Sequence, residues 1–155
     1  MQKLYLAHPL NCRREVRKLQ LRLEGKYNIE FINPFYNNIY ERREIAKLDK
    51  LKFKKDKIAY TESWDIQTCH HIVDVDLELI RKSDGILAFL SKPAIGTCQE
   101  IFVASYIYRI PVYVITKDCQ THPWIRSLVE RSNGRIFRTI TEYKQFLDQL
   151  VGERE

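Results

Sequence analysis

Five short apolar runs, separated by segments of helix length, constrain this chain more than any other feature. Lys3–Ala7 (KLYLA) is stopped by His8-Pro9, and YNIEFI over residues 27–32 is stopped by Asn33-Pro34. GILAFL over 85–90 and the PVYVIT run opened by Pro111 are continuous rather than alternating, as in strands covered on both faces. A short RIFR strand follows the Asn133-Gly134 turn. Between the runs lie helical patterns. One extends to about Gly25, with Asn11 as its cap and Val16, Leu19 and Leu23 on one face. Others cover 39–57, which is very polar, then 66–82, 97–109, a segment opened by His122-Pro123-Trp124, and 139–150 with Thr141 as cap. The NPFYNN stretch reads as a loop, and residues 58–65 carry no clear pattern. Strand alternating with helix predicts a three-layer α/β sandwich: about five parallel strands, with helices on both faces.

With 155 residues the chain fits one domain with one core, spanning 1–155. A flavodoxin- or Rossmann-like sheet of this kind binds ligands at the carboxyl ends of its strands, where strand order reverses. The loops expected there are 8–13, 33–38, 91–97 and 116–122. No G-x-x-x-x-G-K-[ST] or G-x-G-x-x-G occurs, so the usual triphosphate and dinucleotide loops are absent. No stretch approaches ~20 apolar residues, so no membrane span is expected, and MQKLYLAHPL reads as a strand rather than a signal peptide. Cys12, Cys69, Cys98 and Cys119 form no C-x-x-C pair, which predicts free thiols in a reducing, cytoplasmic compartment. Lys+Arg exceed Asp+Glu by 26 to 20, and most of the excess sits in 41–57. That run is either a solvated helix face or a surface for an anionic partner.

Two acidic positions are the candidates for chemistry. Glu100 follows Gly96-Thr97, and its helical neighbours Gly96, Thr97, Val103 and Ala104 are small or apolar. It is expected in the first turn of a packed helix. There, burial raises a carboxyl pKa, while first-turn amides and the helix dipole lower it. Two readings stand: a glutamate favoured at a helix start for dipole reasons, or a constrained carboxylate able to act as a nucleophile. Asp76 has Ile72, Val73, Leu79 and Ile80 as helical neighbours, so it interrupts a buried stripe, whereas Asp74 lies toward the wet face. A buried carboxylate needs a partner or a pocket. Asp84 reads as structural, ending its helix at Ser83-Asp84. Cys69, His70 and His71 with Cys98 or His122 are metal-ligand types without recurring ligand spacing, so no metal site is expected. Cys98 reads as a small buried hydrophobe.

Three stretches together resemble the nucleoside 2-deoxyribosyltransferase superfamily, which includes the 2'-deoxynucleoside 5'-monophosphate N-glycosidases. They are K3-L-Y-L-A-H-P, D76-L-E-L-I-R-K-S-D-G-I-L-A88 and P93-A-I-G-T-C-Q-E-I-F-V-A104, with N33-P-F-Y and H122-P-W-I as lesser matches. The resemblance implies that Glu100 attacks the anomeric carbon and forms a glycosyl ester, as in retaining glycosidases. It implies that Tyr5 orients Glu100, and that Asp76 holds the sugar or helps protonate the departing base. His8, Pro9, Arg13, Phe35, Ser91, Pro93, Gly96 and Thr97 would line the substrate site. No metal or organic cofactor is implied. The partners implied are a nucleoside or nucleotide, a free nucleobase and further copies of the chain in a homo-oligomer. Six residues before the glutamate, transferases carry aspartate and monophosphate hydrolases carry serine, but this chain has Ala94. The expected activity is N-glycosidic cleavage of a 2'-deoxynucleoside, with transfer of deoxyribose to another base. Hydrolysis of the 5'-monophosphate is the alternative, and a non-catalytic nucleotide-binding module is a second. Nucleic acid is not an expected partner, because Phe53 is the lone aromatic within 41–57.

Overall fold

The computed structural model describes residues 1–152. Strand β1 (Gln2–Ala7) leads through a 3-10 turn (Leu10–Cys12) into α1 (Arg13–Glu24). β2 (Ile29–Ile32) is followed by a one-turn α2 (Pro34–Asn37), then α3 (Ile39–Asp49), α4 (Lys54–Glu62) and α5 (Ile66–Arg81). β3 (Gly85–Phe89) feeds α6 (Ile95–Phe102), whose last part widens into a π-type turn (Val103–Ile107). β4 (Val112–Ile115), α7 (Pro123–Arg131), β5 (Arg135–Phe137) and α8 (Ile140–Gly152) complete the described chain.

All strand pairings are parallel, in the order β2-β1-β3-β4-β5. The order reverses between β1 and β3, which pair Tyr5 with Ile86 and Ala7 with Ala88. Side chains alternate across the sheet, so each strand supplies two cores. One face buries Tyr5, Ala7, Ile86, Ala88, Val112 and Val114 against α5, α6 and α7. The other buries Leu4, Leu6, Leu87 and Ile115 against Val16, Leu19 and Leu23 of α1 and Tyr143 and Leu147 of α8. Asp84 ties β3 to β1: it accepts the Lys3 amide at 2.7 Å and returns its own amide to the Lys3 carbonyl at 2.8 Å. Its structural assignment therefore stands.

Several local expectations change. Asn11 lies inside the 3-10 turn and is exposed, and Cys12 occupies the cap position of α1 without a side-chain bond. NPFYNN is a helical turn capped by Asn33, which accepts the Phe35 amide. The polar segment 39–57 is two helices separated at 50–53, and most of 58–65 belongs to α4. The α8 cap is Thr139 rather than Thr141: its hydroxyl accepts the Glu142 amide, while Glu142 accepts the Arg138 amide. The most consequential change concerns α6. It begins at Ile95, after Ala94 in extended backbone, so Glu100 lies in the second turn rather than the first.

Candidate active site

The helix α6 returns from the end of β3 across the strands that meet at the reversal point. Thr97, Ile101 and Ala104 face the sheet and are buried. Glu100, three residues beyond Thr97, comes down beside them onto Tyr5. The Tyr5 side chain is fully buried, and its hydroxyl donates to Glu100 Oε1 at 2.6 Å.

Asp76 approaches from α5. Its Oδ1 accepts from Asn38 Nδ2 at 2.8 Å, and the same amide donates to the Ile72 carbonyl at 3.0 Å. The Oδ1 of Asn38 accepts the Tyr40 and Glu41 amides and so caps α3. One wholly buried asparagine thus starts α3 and holds Asp76 at once. Asp74, by contrast, is exposed. Glu41, in the first turn of α3, points its Oε2 into the interior, where that atom has no partner among the described residues.

These three carboxyls act on one another. Burial, with Asp76 and Glu100 adding repulsion, pushes Glu41 up to about 9. Burial pushes Glu100 up to about 8, against the Tyr5 hydrogen bond and with Asp76 adding repulsion. Burial lifts Asp76 to about 6, with the Asn38 amide and the Tyr5 hydroxyl pulling it down. Tyr5 is raised well above its ordinary range by burial and by the surrounding carboxyls. The competition set out for Glu100 is therefore decided by burial. In the second turn the carboxyl is beyond the reach of the helix-end dipole, which fades within the first turn. Near neutral pH the cluster holds its charge mainly on Asp76, and Glu41 stays protonated.

The other predicted residues divide. His8 is buried, with Nδ1 3.2 Å from the Pro9 carbonyl and Nε2 3.3 Å from Asn33 Oδ1, and its ring meets the edge of Phe35 at 4.7 Å. Burial lowers its pKa, so it is a neutral, engaged side chain rather than an open phosphate ligand. Phe35 packs with Ile45 and Leu48 as a small core under α2 and α3. Arg13 pairs with Asp49 and donates to the Leu10 carbonyl. Pro9 is half-buried, Thr97 is buried, and Ser91, Pro93 and Gly96 are exposed on the loop and helix start above the sheet. A Cβ added to Gly96 would meet nothing within 4 Å, so this glycine leaves space open rather than permitting close packing. Pro93 also borders a cavity of about 440 Å³ between α6 and α7, lined by Cys98, Phe102, His122 and Trp124 among others. That cavity is on the opposite flank of α6 from Tyr5 and Asp76. Among the described residues, no three His, Cys, Asp or Glu side chains gather as a metal site. Cys98 is half-buried and packs against the core, and Cys12, Cys69 and Cys119 are also free.

Sequence reasoning missed Asn38 and Glu41. Their spacing, an Asn followed three residues later by Glu, is a helix-start signature that was hidden within a highly charged segment. Asn38→Ala is expected to cost about 2 kcal/mol of stability in urea unfolding, since it removes a helix cap and the amide partner of Asp76. In the same variant the Asp76 carboxyl should titrate above its present value of about 6, which a carbon-13 NMR titration would read.

No protein-family model matches the sequence, and no curated protein matches it. Solved structures do match. The matches share its fold and include two enzymes. A 2-deoxyribosyltransferase from Bacillus psychrosaccharolyticus superimposes with a TM-score of 0.60 at 18% identity, covering 91% of this chain and 89% of that one. A CMP N-glycosidase from Clostridium botulinum superimposes with a TM-score of 0.57 at 23% identity, covering 96% and 99%. These likenesses establish the three-layer α/β fold and its near-complete extent in both chains.

Proposed function

We propose that this protein is an enzyme of the nucleoside 2-deoxyribosyltransferase type, which cleaves an N-glycosidic bond through a covalent ester on Glu100. The observation that carries the reading is the hydrogen bond from buried Tyr5 to Glu100, set beside Asp76 at the reversal point of the sheet. That pairing fixes one carboxyl oxygen and leaves the other available to attack. The open space over Gly96 supports the reading, because it gives a ligand access to the start of α6.

In the reaction, the Glu100 carboxylate attacks the anomeric carbon from one face of the sugar while the base leaves from the other. Tyr5 keeps the nucleophile oriented and takes up part of its charge. Asp76, ionised near neutral pH and held by Asn38, accepts a hydrogen bond from a sugar hydroxyl. Of the two roles considered for Asp76, holding the sugar suits its charge state better than delivering a proton. A second base, or water, then attacks the ester and restores the original configuration.

Transfer to a second base is the first reading and hydrolysis the second, as the two structural neighbours named above include one enzyme of each kind. Ala94 offers no side-chain donor at the position where hydrolases carry serine, and Arg13 is engaged with Asp49. Both features favour a substrate without a phosphate contact there. The protein is to be incubated with a panel of 2'-deoxynucleosides and their monophosphates, each with a foreign free base. Chromatography would then show a new nucleoside for transfer, or free sugar or sugar phosphate for hydrolysis. Binding with no product from any pair would exclude catalysis and favour the non-catalytic module.

A further inference from the structure

We infer that Glu41 is the proton donor to the departing nucleobase, a role that rests on the N-glycosidic reading above. Its Oε2 is enclosed by protein yet has no partner among the described residues, an orphaned group for which a catalytic role is one physical explanation. The backbone that carries it is fixed by Asn38, the residue that also holds Asp76, so Glu41 and the sugar-binding carboxylate are built as one unit. The charged or titratable groups that act on it are Asp76 from α5 and Glu100 from α6, with Tyr5 of β1 facing all three. Burial, with the charged Asp76 beside it, keeps the proton on Glu41 near neutral pH, where Asp76 has already lost its own.

The step balances as follows. A Glu100 oxygen gives an electron pair to the anomeric carbon, and the bond to the base nitrogen breaks with its pair moving onto the base. The Glu41 proton passes to the base, leaving Glu41 as a carboxylate. That carboxylate then takes a proton from the water or incoming base that attacks the anomeric carbon, and the ester pair returns to Glu100. Positioned acid-base catalysis of this kind contributes about 10²–10⁴-fold.

The test compares Glu41→Gln with wild type on 2'-deoxyguanosine and on 7-methyl-2'-deoxyguanosine, whose cationic base leaves neutral without protonation. In the single-turnover burst of base release, which precedes the step where the Glu41 carboxylate acts as base, the variant should lose ~100-fold or more on the first substrate, the scale of general acid catalysis, and change little on the second. A second readout is the alkaline limb of the rate profile, present in wild type above about 9 and absent from the variant. Equal losses on both substrates, no loss on either, or an alkaline limb that persists in Glu41→Gln would overturn the role of Glu41. Cleavage that survives Glu100→Ala, or a wild type that cleaves no substrate, would instead overturn the reading on which it rests.

Discussion

Glu100→Ala should reduce turnover by about four orders of magnitude or more, since removing a covalent nucleophile removes the whole pathway rather than one contact. The loss should appear for transfer and hydrolysis alike, because both begin with the same ester. Glu100→Gln should be nearly as inactive while leaving substrate binding close to wild type, as the amide keeps the shape and the Tyr5 contact. In wild type the rate should rise with pH through about 8, because only the ionised Glu100 can attack. A rate already level at pH 6 would mean that Glu100 ionises well below 8 in the productive complex. Variants retaining even one-tenth of wild-type activity would mean that another group is the nucleophile.

The second large effect is on stability, and it has the opposite sign. Glu41→Gln should stabilise the fold near neutral pH. In the folded chain the Glu41 carboxyl titrates at about 9, against an ordinary value of 4.5. Between those limits the folded state holds a proton that the unfolded state has released. Stability therefore falls as pH rises through this window, is intact below it, and reaches its full loss above about 9. Glutamine is neutral in both states and escapes the penalty. At pH 7 the gain is about 3 kcal/mol, from roughly 1.4 kcal/mol for each pH unit above the ordinary value. Urea unfolding at pH 5 and pH 8 would check it: the advantage of the variant should be small at pH 5 and much larger at pH 8. An advantage that is the same at both, or a net destabilisation at pH 8, would mean that Glu41 is not held protonated. A residue that weakens the fold while its replacement weakens catalysis is the pattern expected of a functional site.

The sheet was legible because its signals are strong and local. GILAFL and PVYVIT carry no charged residue and do not alternate, as in a strand covered on both faces, and their spacing leaves room for a crossover helix between them. Glu100 and Asp76 stood out because each breaks an apolar pattern on its own helix. Other features left weaker traces. The helix α4 buries none of its residues, so its sequence carries no amphipathic stripe to read. The sequence pattern places the start of α6 two residues late because Pro93 and Gly96 punctuate the segment, yet Ile95 is already helical and highly exposed. That shift takes Glu100 out of the first turn and lets burial decide the balance governing its charge. Glu41 was hidden in a different way. Among eight basic and four acidic residues in 41–57, nothing local distinguishes the carboxyl that faces Asp76 and Glu100. Its environment is made by α5 and α6, whose contributing residues lie more than thirty positions away. Arg13 and His8 show the converse. Their residue types suit a phosphate, but Asp49 and Asn33, distant in sequence, occupy them.

The most direct test of the account is peptide mapping after an acid quench of the protein incubated with a 2'-fluorinated 2'-deoxynucleoside, whose glycosyl ester breaks down slowly. The account predicts a sugar adduct on the peptide that contains Glu100, and none on that peptide in Glu100→Gln. Base release without any adduct, or an adduct on a different residue, would contradict it.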